Sequence, residues 1–184
     1  MTTHAIYFTG TINASTVGIF QGNCLQALHQ GATEIQVFMS SEGGSTVFGF
    51  TLYNFIRSLP VPVHMHNLGS VESMGNIAFL AADRRTASVS SRFIFHPLHW
   101  SYAGGQVDHS RLSEHAMSLE SDLERYADIV LERTKGADEI LDIHGCLRGT
   151  AKIISPAAAI GLGLITGVED VSLPAGTPAW WVNS

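Results

Sequence analysis

The chain has 184 residues, enough for one domain with a sizeable core. Hydrophobic residues make up 45%, charged residues only 14%, and the net charge is -6. An acidic balance with only two lysines, Lys135 and Lys152, leaves no basic tract and excludes nucleic acid as the main partner. The low charge fraction points to apolar surface covered by partner subunits, or to a large core. No window approaches about 18 uninterrupted apolar residues, so no membrane-spanning helix is expected. Met1 to Gly10 has neither the basic n-region nor the long apolar h-region of a signal peptide. Cys24 and Cys146 have no metal spacing and read as buried thiols of a reducing compartment. The expected location is cytoplasmic.

In chain order, Ala5 to Gly10 reads as a short buried strand ending in a turn. A helix follows, with Val17, Phe20, Cys24, Leu25 and Leu28 on one face and Gly31 closing it. Glu34 to Ser40 is a strand, "SEGGS" a turn, and "TVFGFTLYNFIRSL" an amphipathic helix. "VPVHMHNLG" is a strand that tolerates Pro60 and Pro62 near its start. Ser73 to Ala82 is a helix, and "TASVS" and "RFIFH" are two short strands. Strands alternating with helices imply right-handed βαβ crossovers and a mostly parallel sheet. Gln106 to Thr134 is a long helix whose apolar stripe (Leu112, Leu119, Leu123, Tyr126, Val130) predicts that it projects and packs on a partner. "GADEILDIHG" is a second, short helix, and "ISPAAAIGLGLITGV" a helix running into a last strand. The tail is turn-rich, with Trp180 and Trp181 as a docking anchor.

Ser73 stands where a strand gives way to a helix, a place for an N-cap and equally for a nucleophile. A serine hydroxyl needs a neighbouring base, and His96 follows the next strand. The charge that develops on an attacked carbonyl needs fixed donors, and the backbone N–H groups of Met74 and Gly44 are candidates. Glycine at the end of another strand lets backbone approach a substrate closely. His64, His66, His96 and His99 have ligand-like pair spacings, but no Asp, Glu or Cys joins them at ligand spacing, and no metal or other cofactor is expected.

Four motifs, "SSEGGST" (40–46), "ESMGNIAFLAA" (72–82), "FIFHPL" (93–98) and "ISPAAAIGLGLI" (154–165), occur in an order and at intervals that resemble the ClpP family of serine peptidases. That family belongs to the wider ClpP/crotonase fold. The resemblance covers roughly Ile6 to Ile165. It implies an α/β ClpP/crotonase-type spiral of βαβ units with a projecting helical handle at about 106–134, forming a single domain over residues 1–184. It further implies Ser73 as nucleophile, His96 as general base, and Gly44 and Met74 as oxyanion donors. A peptide would lie extended past His96, with Leu98 and Trp100 binding substrate and Tyr102 walling a further pocket.

The sequence departs from the family's pattern in several places. Where the family carries its triad aspartate, four residues before the serine of the terminal segment, this chain has Ala151. Asp142 is the nearest upstream carboxylate, out of register on a helix. Pro97 follows His96 directly, without the family's glutamine, and Glu72 replaces a small residue beside Ser73, to bias His96 or to face solvent. About four residues precede the first strand, where the family's axial loops engage an ATP-driven unfoldase, which argues against docking to a Clp ATPase.

The resulting expectation is a ClpP-type serine endopeptidase acting on peptides or unfolded protein segments, assembled as a homo-oligomeric ring, two rings stacked. The alternatives are a non-catalytic ClpP-like ring subunit, or a crotonase-type acyl-thioester enzyme using Glu42 and Glu72.

Overall fold

The structure is a computed structural model, and it describes residues 2–99 and 106–183. In chain order its elements are β1 (Thr3–Thr9), α1 (Ala14–His29), β2 (Glu34–Ser41), α2 (Thr46–Ser58), β3 (Val63–Glu72), α3 (Met74–Leu80), β4 (Arg84–Ala87) and β5 (Arg92–Phe95). There follow α4 (His109–Arg133), α5 (Ile143–Arg148), β6 (Lys152–Ile154), α6 (Pro156–Gly161), β7 (Gly167–Val168) and β8 (Ala179–Asn183). Local chemistry sets the boundaries. Asn13 opens α1 with a reciprocal capping box: its Oδ1 accepts from Thr16 N, and Thr16 Oγ1 accepts from Asn13 N, both at 3.0 Å. Gly31, at φ +83°, lets the chain turn back toward β2.

The sheet runs β6-β5-β3-β2-β1-β8, and every pair is parallel except β5 with β6. β3 forks. His64–Asn67 pair with Arg84–Ala87 of β4, whereas Ser70–Glu72 pair with Arg92–Ile94 of β5. β7 extends the β4 branch and β6 extends the β5 branch. The end of β3 is thereby brought beside the strand that leads to His96. Helices α1 and α2 close one face over Phe8, Phe20, Val37, Met39, Leu52, Ile56 and Met65, with Phe8 and Phe20 edge-to-face at 5.9 Å. Burying side chains of this size contributes about 1.5–3 kcal/mol each. The alternation of strand and helix up to β4 matches the expected parallel α/β architecture.

The long helix is present, and the structure divides its apolar stripe. Leu123, Tyr126 and Val130 are buried in the chain's own core together with Ala127, and Arg133 fastens the helix end by donating to Leu80 O and Ala82 O, each at 2.8 Å. Of the stripe only Leu112 stands out, 53% exposed, whereas Leu119 is partly buried against the core. The stripe is therefore not one partner-facing surface.

Three other expectations are corrected. The short helix lies later than "GADEILDIHG", because the Asp142 side chain caps it by accepting from Gly145 N at 3.0 Å. β6, three residues long, was not expected as a strand. The tail forms β8, paired parallel with β1, and its tryptophans stack within the chain: Trp180 on His4 at 5.2 Å and Trp181 on Tyr7 at 5.5 Å. Among the described residues no helix is long and apolar enough to cross a membrane.

Candidate active site

Ser73 follows the last residue of β3 and precedes α3. Its backbone lies at φ +50° and ψ -127°, making it the one non-glycine residue at positive φ among those described. Such a conformation costs on the order of 1–3 kcal/mol and persists only where surrounding bonds hold it. Here Ser73 N donates to Ile94 O (3.2 Å), while Ser73 O accepts from Asn76 N (2.9 Å) and from the Tyr126 hydroxyl (2.8 Å). Although Ser73 occupies the N-cap position of α3, its side chain makes no capping hydrogen bond. The capping reading of this serine thus finds no support, and the hydroxyl has no hydrogen-bond partner among the described residues.

The turn after β2 lies against this elbow. A Cβ on Gly43 would come within 2.7 Å of Ser73 Cβ and 2.9 Å of Met74 N, so only glycine allows the approach. Gly44 bridges Ile12 in parallel fashion, through Gly43 O and Ser45 N. In such a bridge the N–H of Gly44 itself points away from Ile12. Gly49 of α2 makes room for Met74, whose side chain is fully buried.

Ser73, Gly44, His96 and Leu98 line one cavity of about 660 Å³, together with Glu42, His99, Leu119 and Asp122 among others. Four of the six expected site residues are thus brought to a common space. Met74 does not line it; its backbone N lies behind the Gly43 turn, at the first position of α3, where N–H groups have no partner within the helix. Trp100 and Tyr102 lie outside the described residues. His96 Nδ1 lies 2.9 Å from Pro97 O. With Nδ1–H donating to that carbonyl, the Nε2 lone pair is left available. The β5–β6 register (Phe93 with Ile154, Ile94 with Ile153, Phe95 with Lys152) ends one step short of His96 and Ala151. Continued by one step, that register would set Ala151, the position at which the carboxylate is missing, next to His96.

The other carboxylates have separate partners. Glu72 accepts from Ser70 Oγ (2.7 Å) and faces Arg92 at 3.5 Å, so it neither simply faces solvent nor pairs with His96. Glu42 accepts from Thr11 Oγ1. Asp142 caps α5. Two residues facing or bordering the site were not singled out from sequence. Asp122 lines the cavity, almost buried, with Arg125 at 3.2 Å, and that guanidinium sits 3.8 Å above the Phe50 ring. Tyr126 stands directly behind the serine. A polar atom in the middle of an apolar helical stripe was the available signal for both. Among the histidines considered for metal, His64 faces Glu34 at 3.6 Å, and His66 is bonded to the hydroxyls of Thr86 (2.8 Å) and Ser88 (2.9 Å).

A mixed α/β fold with a forked parallel sheet, carrying a strained serine elbow at its branch point, defines the class structurally. The chain belongs to the Clp protease family, whose sequence profile matches residues 2–171. It is similar to an "ATP-dependent Clp protease proteolytic subunit" of Deinococcus radiodurans, with 28% identity over 141 residues, covering 74% of this chain and 65% of the relative. A Treponema denticola protein named "ATP-dependent Clp protease proteolytic subunit 2" is 31% identical over 108 residues, covering 57% of this chain and 52% of the relative. These matches span about half to two thirds of the relatives' own lengths. Among solved structures, a mutant ClpP1 from Listeria monocytogenes superposes with a TM-score of 0.77 at 21% identity, covering 91% of this chain and 92% of that one, which shows the shared fold.

Proposed function

We propose that this chain is a ClpP-type serine peptidase, a single domain that hydrolyses peptides or unfolded protein segments through an acyl-enzyme. The observation that carries the reading is the elbow. A strained, uncapped Ser73 shares a cavity with His96 and with the glycine turn that packs against it. In the first step Ser73 Oγ attacks the peptide carbonyl while His96 Nε2 takes the hydroxyl proton. The oxyanion is met by the N–H groups of Gly44 and Met74. Collapse expels the amine, protonated by His96, and leaves an ester on Ser73. Water, activated by the same imidazole, releases the acid. The substrate lies extended along the segment that follows β5 past His96 to Leu98, and Trp100 belongs to the same proposed subsite. No cofactor enters the scheme. The working form is a homo-oligomeric ring in the cytoplasm, two rings stacked with the sites facing inward. Docking to a Clp ATPase is not part of the proposal.

One observation favours a second reading. Among the described residues the hydrogen-bond partner of His96 Nδ1 is a neutral carbonyl, and Ala151 stands in place of a carboxylate, as would suit a ring subunit that has lost catalysis. Labelling with a fluorophosphonate separates the two. Modification at Ser73 with turnover of fluorogenic peptides, both abolished in Ser73→Ala, supports the peptidase. No labelling of the assembled protein, with no turnover, supports the silent subunit.

A further inference from the structure

Tyr126 is fully buried, and its hydroxyl ends 2.8 Å from Ser73 O. It also lies 3.4 Å from Asn76 Nδ2, which donates to Ile94 O at 2.8 Å. Burial pushes the phenol well above its ordinary range, so it stays a neutral donor. A leucine or phenylalanine would fill the same volume in this stripe, so the hydroxyl marks a specific contact. Its acceptor is the carbonyl of the peptide that joins Ser73 to Met74. That peptide is planar and trans, so its C=O and N–H point in opposite directions. Whatever fixes Ser73 O also aims Met74 N–H. The strained Ser73 would relax by rotating about its own ψ, and the rotation would swing both groups together.

We infer that Tyr126 is a positioning residue: it holds the Ser73–Met74 peptide from behind, so that the Met74 N–H faces the developing oxyanion. The inference rests on the peptidase reading above. Its consequence is specific, because the Met74 donor matters more for a tetrahedral centre than for a bound planar substrate. Loss of the Tyr126 hydroxyl should lower turnover and leave ground-state binding alone.

The test is Tyr126→Phe, which keeps the ring and leaves Asn76 Nδ2 bonded to Ile94 O. The expected result is a fall in kcat of about tenfold, about 1.4 kcal/mol of barrier, with KM unchanged. Affinity for a dipeptide boronate, which mimics the tetrahedral centre, should fall in step with kcat. The Asn76 amide, which donates to the same carbonyl, should exchange with solvent faster. Val130→Ala, one turn along α4 and equally buried, controls for softening of the helix. It should lower the melting temperature without the kcat and boronate losses. Unchanged kcat in Tyr126→Phe overturns the inference, and so does an equal loss in Val130→Ala. A wild-type protein that neither labels nor turns over peptide overturns the peptidase reading instead. Amide exchange then decides the hold on the elbow by itself, and an unchanged Asn76 rate in Tyr126→Phe refutes it.

Discussion

Ala151→Asp would place a carboxylate beside His96 without disturbing the core. Antiparallel neighbours carry their Cβ atoms about 4.5–5.5 Å apart on one face, within reach of an aspartate oxygen to the ring. The resting partner of Nδ1 is a neutral carbonyl at 2.9 Å. A carboxylate makes a charge-assisted bond roughly twice as strong, and it stabilises the imidazolium that forms when Ser73 is deprotonated. At about 5 Å and an effective dielectric near 20, one unit charge on another is worth about 3 kcal/mol. His96 is only half-buried. Solvent screening and the displaced Pro97 bond remove about half of that. Some 1.5 kcal/mol remains, a gain of about tenfold in acylation rate. Fluorophosphonate labelling of Ser73 over time measures the rate. A downfield shift of the His96 Nδ1 proton in NMR reports whether the carboxylate has arrived. A shifted proton with an unchanged rate would refute the reasoning, because orientation of His96 would then not limit the reaction.

Gly44→Ala introduces a Cβ into the Ile12 backbone at φ +149°, moving the turn proposed to supply an oxyanion donor. Turnover should fall by at least about 100-fold, and a change under threefold would remove Gly44 from that role. Burial lowers the proton affinity of His66 below its usual 6.5, against the opposing pull of Glu169 and Asp170. The unfolded chain therefore binds this proton first. His66 contributes its full stability above about pH 6.5 and loses it as pH falls toward the lower folded value. Urea midpoints at pH 7.5 and 5.5 should differ less in His66→Gln than in the wild type, and identical differences would refute this. Light scattering should give a mass many times the 19.8 kDa of one chain. The exposed pair Leu112→Glu with Met117→Glu should reduce that mass, whereas a monomeric wild type would end the ring proposal.

Elements whose apolar period matched their own length were legible in the sequence. β1 to α3 fall within a few residues of expectation because each is bounded by a local signal, such as the Asn13 cap or the glycine turn at 43–44. Elements made by distant partners were not. β6 is three residues whose pairing with β5 supplies its only regularity. β8 exists because Ala5 to Thr9 accept it as a neighbour, and nothing within "LPAGTPAWWVNS" announces a strand. The period of α4 marks its stripe as apolar, but periodicity cannot say whether the cover comes from the same chain. At the site, Ser73, His96 and the glycine turn came from motif order. The polar atom of Tyr126 in its apolar stripe is a local signal, but its contact with Ser73, 53 positions away, is one that no local pattern encodes.

The pairing of β8 with β1 has a consequence for the order in which the protein can be built. β1 leaves the ribosome ahead of the strands it pairs with and meets β2 after a single crossover. Its other edge waits until residues 179–183 have been synthesised, since Thr9 and Asn183, bonded at 2.9 Å, lie 174 positions apart. Throughout elongation Ala5, Ile6 and Phe8 belong to a strand with an open flank, the condition that invites pairing with another nascent chain. Neighbouring ribosomes on one message would present this same unsealed edge side by side. Residues 179–183 are therefore the ones that cover this flank of β1 and end that exposure.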